Sequence, residues 1–318
     1  MGLNTTVLRA LAARWQESGL RILAGEPMSR HTTLHIGGPA DLFVPIAGGE
    51  VLAAAVADCR TAGVPFMLMG RGSNLLAADA GIRGVVFAAG GEKPVRSGEE
   101  KNTLLLDAGT TLARAANAAA ERGLSGLEFA HGIPGTVGGG IFMNAGAYGG
   151  ELRDVITWAE VLTPEGAVHR LTCAECAFGY RESRFAHSEE IILRAEVALS
   201  PDDPQEILAR QRDYAARRRQ SQPLDYPSAG STFRRPPEGM PPAALLIDRC
   251  GLKGLRVGGA AVSEKHAGFL INCGGATAED FFRLMTQVRD TVFEREGIRL
   301  QPEVRFAGDW PAELIWEE

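Results

Sequence analysis

Residues 128–150 read EFAHGIPGTVGGGIFMNAGAYGG, with glycine at 132, 135, 138, 139, 140, 146, 149 and 150 and very few charged side chains. Glycine gives up the most backbone freedom on folding and packs nothing, so a run this dense belongs where backbone must approach something closely. Bare N–H groups in such a run suit a phosphate or a dinucleotide; a set of tight structural turns uses the same residues. A second cluster, Gly70-Arg71-Gly72-Ser73-Asn74, favours the ligand. It follows Val64-Pro65-Phe66-Met67-Leu68-Met69, an apolar run that reads as a buried strand. A small-residue turn after a buried strand is where α/β proteins hold nucleotide phosphates. The G-x-G-x-x-G pattern is incomplete, because Leu75 stands at its third glycine, and no acidic residue stands out on a following strand. A plain Rossmann domain is therefore disfavoured against another dinucleotide-binding design.

A chain of 318 residues can bury a sizeable core and is expected to hold two or three domains. Its net charge of −6 argues against general nucleic-acid or anionic-membrane binding. The N-terminus carries no apolar signal core, and no apolar run is long enough to span a bilayer, which points to the cytosol. The cysteines at 59, 173, 176, 250 and 273 are odd in number and scattered, so no disulfide framework is expected. Cys173-x-x-Cys176 has no second pair to complete a metal site, and spare thiols are favoured over a metal or redox role. The histidines show no ligand spacing.

Periodicity predicts an opening helix from about Thr5 to Glu17, capped by Asn4, with Leu8, Leu11, Ala12 and Trp15 on one face. A strand at Asp41–Pro45, an alanine-rich helix at 50–62 stopped by Gly63, the strand at 64–69 and a strand at Gly84–Ala88 follow. The polar segment 90–102 reads as an exposed hairpin or a boundary. A second unit opens with a strand at Leu104–Asp107 and a helix at Leu112–Arg122 closed by Gly123. After the glycine stretch come strands at 154–162 and 167–171 joined by the turn Pro164-Glu165-Gly166, then a strand at Ile191–Leu199. Helix 204–219 reads as a linker that ends in Arg217-Arg218-Arg219 with no core-facing stripe in its last turn. Positive charge there suits a helix C-terminus. The third unit, from near Gln222 to about Gly297, holds a short helix ending at Cys250 and a strand at Gly268–Asn272. Its last helix is capped by Thr277 with Asp280 and buries Phe281, Leu284, Met285, Val288 and Val292. A final strand, Arg299–Phe306, carries Glu303, with alternation placing Gln301, Glu303 and Arg305 on one face.

Four places draw notice for chemistry. Ser231, in Ser228-Ala229-Gly230-Ser231-Thr232-Phe233, is not in a G-x-S-x-G elbow, so a covalent nucleophile is disfavoured and a turn hydroxyl bonding nearby backbone is the plain alternative. Glu303 reads equally as a surface carboxylate. Arg181, in Phe178-Gly179-Tyr180-Arg181, suits an anion clamp or a surface cation–π contact. Lys265-His266 follows Gly258-Gly259, and a lone histidine there is more often structural than catalytic.

In order, these pieces resemble the UDP-N-acetylenolpyruvoylglucosamine reductases (UDP-N-acetylmuramate dehydrogenases) of bacterial peptidoglycan synthesis. The matching segments are HTTLHIGGPADLFVP (31–45), GRGSNLLAADAGIRGVV (70–86), GLEFAHGIPGTVGGGIFMNAGAYGGE (126–151), FGYRESRF (178–185), PSAGSTFRRP (227–236), GLKGLRVGGAAVSEKHAGFLIN (251–272) and LQPEVRFAG (300–308). The resemblance implies an α+β chain: an FAD-binding fold of the vanillyl-alcohol-oxidase (PCMH) type in two subdomains, with an α+β substrate-binding domain. It divides the chain into 1–100, completed by 298–318, as the first part of the FAD-binding half, 101–205 as its second subdomain, and 206–297 as the substrate domain.

The implied function is an NADPH-dependent, FAD-containing oxidoreductase. It reduces the enolpyruvyl ether of UDP-N-acetylglucosamine enolpyruvate to UDP-N-acetylmuramate in the cytoplasm. The resemblance assigns catalysis to Arg181, Ser231 and Glu303. It gives cofactor binding to Gly70, Arg71, Gly72, Ser73, Asn74 and Leu75, to His131, Gly132, Ile133, Pro134, Gly135, Thr136, Gly138 and Gly139, and to Asn144. Tyr180, Lys265 and the run Arg217–Arg219, Arg219 first among it, are candidates for the substrate diphosphate, and no metal is implied. Two departures stand out. Arg235 follows Arg234 where the family usually has Asn, and no aromatic lid loop is inserted before the serine motif, which marks the shorter type with a more open cleft. The alternatives are an FAD-dependent oxidase of the same fold and a non-catalytic flavin- or nucleotide-binding protein; neither has a reason to keep all three catalytic residues.

Overall fold

The structure, a computed structural model, describes residues 5–91, 94–314 and 316. The expected cap Asn4 lies outside them, as do residues 92 and 93 of the expected hairpin. Seven α-helices occur in these residues: α1 (Thr5–Glu17), α2 (Glu50–Ala62), α3 (Leu112–Glu121), α4 (Val137–Phe142), α5 (Pro204–Ser221), α6 (Ala243–Arg249) and α7 (Ala278–Glu296). None is long and apolar enough to cross a membrane.

The chain folds into two compact units. The first comprises residues up to Ile22, Val44–Arg71 and Val86–Arg218; the second comprises Leu23–Phe43, Gly72–Val85 and the residues from Arg219 on. The chain passes from one to the other inside the strands Pro39–Ile46 and Ile82–Ala89.

The first unit is built on an antiparallel sheet in the order Val168–Thr172, Ile156–Leu162, Ile191–Ala198, Thr103–Asp107, Arg96–Ser97. Its core packs Leu104, Leu106, Ala159, Val161, Ala195 and Val197 with Ala115, Ala116 and Ala119 of α3 and Ile141 of α4. The alanines combine high helix propensity with a thin face, so α3 lies close to its neighbours. Thr111 caps it by accepting from the Arg114 N–H at 3.2 Å. Helix α2 ends where expected, with Gly63 left-handed (φ 63°) and its N–H returned to the carbonyls of Cys59 and Arg60. The next strand, Phe66–Met69, starts later than expected. The Val64 N–H still bonds to the Cys59 carbonyl, and Pro65 has no N–H to give a ladder. Cys176 is fully buried and burial pushes its thiol up to about 12, whereas Cys173 is part-exposed; both are free thiols.

Helix α5 departs from the expectation. Its inward face runs Ile207, Gln211, Tyr214, Arg218, one helical phase, with Ile207 and Gln211 buried and Tyr214 and Arg218 half-buried. A stripe does reach the last turn, but it is polar, so a search for apolar periodicity passes over it.

In the second unit a core gathers around α7: Phe281, Leu284, Met285, Val288 and Val292 pack with Leu246 and Ile247 of α6 and with Val262 and Leu270 of a three-stranded antiparallel sheet, Arg256–Val257, Ala260–Val262 and Leu270–Asn272. The capping box of α7 forms as read, Thr277 accepting from the Asp280 N–H at 3.0 Å and Asp280 from the Thr277 N–H at 3.2 Å. Asp79 also accepts from the Ala278 and Glu279 N–H groups, at 2.9 and 3.0 Å. The expected strand Arg299–Phe306 is much shorter. Only Arg305–Ala307 forms a ladder, parallel to Leu75–Ala77. Upstream, Pro302 lacks a donor, and the flanking backbone bonds to the loop 232–234 instead. Pro302 and Glu303 are both half-buried, so strand-like alternation does not hold there.

Candidate active site

The second unit holds Ser231 and Glu303 on two segments tied together by backbone. Thr232 is the anchor: its N–H donates to the Gly268 carbonyl (2.9 Å), its carbonyl accepts from the Glu303 N–H (2.8 Å), and its hydroxyl accepts from the Leu270 N–H (3.2 Å). The Arg234 N–H bonds to the Gln301 carbonyl at 2.9 Å, closing the link on the far side. Glycine at 230 is left-handed (φ 78°), which lets the chain turn into Ser231. Among the described residues the half-buried Ser231 hydroxyl has no hydrogen-bond partner, so it does not serve as a local turn hydroxyl.

The Gly72–Asn74 turn joins the same network. The Gly72 carbonyl accepts from Thr33 N–H (3.1 Å), whose hydroxyl donates to the Ser228 carbonyl (2.7 Å). The Asn74 side chain donates to the Glu303 carbonyl (3.0 Å), and its own carbonyl accepts from the Arg305 N–H (3.0 Å). Glu303 is thus pinned on both sides of its peptide. Lys265 and Arg219 also meet, through Lys265 Nζ donating to the Arg219 carbonyl at 2.6 Å; both side chains are exposed. Burial lowers the pKa of His266, and its Nδ1 accepts from the Gly268 N–H at 3.2 Å, so it serves the loop that holds Thr232.

Arg181 and Tyr180 belong to the first unit. Arg181 adopts a left-handed backbone (φ 54°), and its guanidinium donates to the Gly146 carbonyl at 2.8 Å and to the Asn144 carbonyl at 3.5 Å. It lies 5.2 Å from the centre of the Tyr180 ring, and Tyr180 is half exposed. Two more residues with positive φ frame it, Asn144 (41°) and Tyr148 (54°). Such backbone is costly for non-glycine residues and persists where surrounding bonds hold it. Asn144 is fully buried; its amide donates to the Glu151 carboxylate (3.1 Å) and the Gly179 carbonyl (2.9 Å) and accepts from the Arg153 N–H (3.0 Å). Its side chain therefore joins the glycine loop, the Arg153 turn and the Tyr180–Arg181 turn.

The glycine run divides by what each would-be Cβ meets. At Gly138 it would lie 2.9 Å from the Ala108 side chain, and at Gly140 2.8 Å from Leu152. At Gly70 it would lie 2.5 Å from the Thr136 hydroxyl. These positions are bare because the chain packs on itself. Gly139 differs: it is exposed and the nearest atom is that hydroxyl at 3.5 Å. In the same glycine-rich segment, the His131 Nδ1 is buried with no hydrogen-bond partner. An orphaned buried nitrogen and an open backbone face on one loop fit a polar ligand such as a flavin dinucleotide. Two aromatics escaped the sequence reading, Tyr148 in the glycine run and Tyr214 on α5, stacked at 4.5 Å. An aromatic amid so much glycine was the available signal.

Known proteins match this arrangement along nearly the whole chain. Residues 41–172 match the FAD binding domain family, and residues 222–307 match the C-terminal domain of UDP-N-acetylenolpyruvoylglucosamine reductase. The chain is 43% identical over 305 residues to the UDP-N-acetylenolpyruvoylglucosamine reductase of Heliobacterium modesticaldum, covering 96% of this chain and 94% of that one. It is 44% identical over 289 residues to the enzyme of the same name from Syntrophomonas wolfei, covering 91% and 96%. Among solved structures, the UDP-N-acetylenolpyruvylglucosamine reductase of Thermus caldophilus superposes with a TM-score of 0.77 at 35% identity, covering 91% of this chain and 99% of that chain.

Proposed function

The chain belongs to the UDP-N-acetylenolpyruvoylglucosamine reductase family, and from that membership we propose which of its side chains carry the reaction. It is an FAD-dependent oxidoreductase of α+β fold, with the vanillyl-alcohol-oxidase-type FAD-binding fold, that reduces UDP-N-acetylglucosamine enolpyruvate to UDP-N-acetylmuramate with NADPH in peptidoglycan synthesis. When bound, FAD supplies the hydride, received from NADPH, that the methylene carbon of the enolpyruvyl group accepts. The α carbon must then gain a proton while charge spreads onto the adjoining carboxylate.

Ser231 delivers that proton. A serine hydroxyl is a weak acid, but a carbanionic α carbon is a far stronger base than water, and a fixed donor avoids the entropic cost of recruiting one. The observation that carries this role is the Ser231 hydroxyl without an internal partner among the described residues, on a loop whose next residue makes four hydrogen bonds. Arg181 and Glu303 polarise the substrate carboxylate and stabilise the enol-like state, the guanidinium held by two carbonyls and the carboxylate by its pinned peptide. Gly70–Leu75 and His131–Gly139, with Asn144 bracing the loop, hold the cofactor. Tyr180, Lys265 and Arg219 receive the UDP diphosphate, Arg235 adding a cation beside the serine motif. Residues 1–100 with 298–318, 101–205 and 206–297 divide these tasks between the cofactor and the substrate. A water-soluble nucleotide substrate and NADPH place the work in the cytoplasm.

Stopped-flow spectroscopy at the flavin band separates the half-reactions. Ser231→Ala is expected to keep reduction by NADPH within about threefold of wild type. Reoxidation by the enolpyruvyl substrate slows by at least about 100-fold, in line with loss of a positioned acid. Equal slowing of both phases would remove Ser231 from the proton-transfer role. Reoxidation that waits for air in the wild type would point to the oxidase reading instead.

A further inference from the structure

Past the strand Arg305–Ala307 the chain turns back toward the serine motif. Gly308 is left-handed (φ 89°), and a Cβ there would run into the Gly81 carbonyl, so the turn needs glycine. The Asp309 N–H donates to that same carbonyl at 3.0 Å, and the Trp310 indole donates to the Ala307 carbonyl at 3.1 Å. Leu314, at the end of the short turn Ala312–Leu314, is buried. These anchors precede Trp316, which packs on the core of the second unit. The stretch shared with the reductase C-terminal domain ends at residue 307, before this turn begins.

Trp316 meets an aromatic from each catalytic segment. Its ring centre lies 6.3 Å from that of Phe233, two residues after Ser231, and 6.2 Å from that of Phe306, three residues after Glu303. Both spacings are those of interacting aromatic pairs. From α7, Phe282 meets the indole edge-on at 5.9 Å and the Arg289 guanidinium lies 4.6 Å from its centre. The two segments also share backbone: Phe233 bridges Pro302, and the bonds of Thr232 and Arg234 reach Glu303 and Gln301. A pairing this short can still twist, and residues that hold a reacting constellation must themselves be locked by packing. Trp316 Nε1 is buried with no hydrogen-bond partner among the described residues. A buried donor left unpaired carries a cost, so the indole is in place for its ring and not for a hydrogen bond.

We propose that Trp316 is a positioning residue for the step that reduces the enolpyruvyl group. Its ring, seated on α7, packs Phe233 and Phe306 against one surface and so holds Ser231 and Glu303 at the spacing that proton delivery requires. Trp316 acts through those two side chains, and its role rests on the roles given to them. A misplacement of about 1 Å at a reacting group can cost on the order of 100-fold in rate. Reduction of the flavin by NADPH needs no proton at the α carbon, so it is indifferent to this alignment.

The test is stopped-flow spectroscopy at the flavin band on holoenzyme carrying Trp316→Leu, which keeps apolar bulk, or Trp316→Phe, which keeps a ring and removes the unpaired donor. At saturating enolpyruvyl substrate, Trp316→Leu is expected to slow reoxidation about 10- to 100-fold while reduction by NADPH stays within about threefold of wild type. Trp316→Phe should bring reoxidation back to within about threefold, since an aromatic pair survives. In a Ser231→Ala background Trp316→Leu should add less than about threefold, because the group it aligns is gone. Both phases slowed alike, equal reoxidation in the Leu and Phe variants, or a full effect in the Ser231→Ala background would each overturn the proposal. Phe233→Leu breaks the same contact from the serine side and should show the same split between phases. Wild-type reoxidation in Phe233→Leu overturns the proposal even where Trp316→Leu does not fold. Failure of the underlying reading is distinct: Ser231→Ala alone would then reoxidise at wild-type speed.

Discussion

A glycine's neighbours, not its presence, say what it is for. Gly138 and Gly139 are adjacent on α4, yet the first faces the Ala108 side chain at 2.9 Å and the second faces almost nothing. Gly138→Ala is expected to strain the contact between α4 and residue 108 and cost about 1–3 kcal/mol, the usual range for overpacking. Gly139→Ala should leave the fold as stable or raise its stability by up to about 1 kcal/mol, because alanine is the better helix former. Any loss of FAD from Gly139→Ala then reports on the ligand face alone. Thermal melts paired with FAD fluorescence decide it; a Gly139→Ala protein that melts well below wild type would contradict the open face. The sequence made the density of glycine plain but could not sort it. Sorting depends on which residue lies opposite, and Ala108 and Leu152 come from other elements.

Elements were legible where apolar spacing and end signals agreed. Helices α1 and α2 have the expected bounds, and α7 has its expected face and capping box. They failed where polar contacts do the docking. Helix α5 is held by Arg210 on Glu128 and Gln211 on the Ala116 carbonyl, so its inward face carried no apolar rhythm. Glu128 is buried and accepts from Arg210, the Gly126 N–H and the Ser125 hydroxyl. Burial pushes its carboxyl up, but the Arg210 bond with the Gly126 and Ser125 donors outweighs this, leaving it below the usual carboxylate value. A folded pKa below the unfolded 4.5 contributes stability that is complete above that pH and lost as pH falls through the folded value. Glu128→Gln is therefore expected to cost about 1–3 kcal/mol at neutral pH, where charged hydrogen bonds are lost. The gap from wild type should shrink steadily below pH 4.5. Denaturant melts across pH 3–7 would show it; a gap independent of pH would mean that the carboxylate's charge is not what docks α5.

At the scale of the molecule, the second unit is assembled from stretches far apart in the sequence, so contiguous motifs do not reveal its edges. Leu75 pairs with Arg305 and Ala77 with Ala307 in a parallel ladder that local pattern gives no hint of. Pairings of such sequence separation must close a long loop before they stabilise anything. The closing segment brings more than a strand. Phe306 and Trp310 pack on Phe282 of α7 with ring centres 5.7 Å away in each case, and Arg289 lies 4.6 Å from the Trp316 ring. Ending the chain after Gly297 would remove the ladder, these aromatics and Glu303 together. Hydrogen exchange should then show Leu75–Ala77 and the exposed side of α7 unprotected. The Val86–Arg218 sheet, which has a core of its own, should keep its slow amides. The half-buried Phe306 allows a milder test: Phe306→Ala is expected to cost about 2 kcal/mol, less than the 3–5 typical of a fully buried phenylalanine. That loss should appear in exchange at α7 and Leu75–Ala77 before it appears in the sheet. Equal loss of protection at both places would mean that the two cores melt as one and that the closing segment stabilises the molecule as a whole.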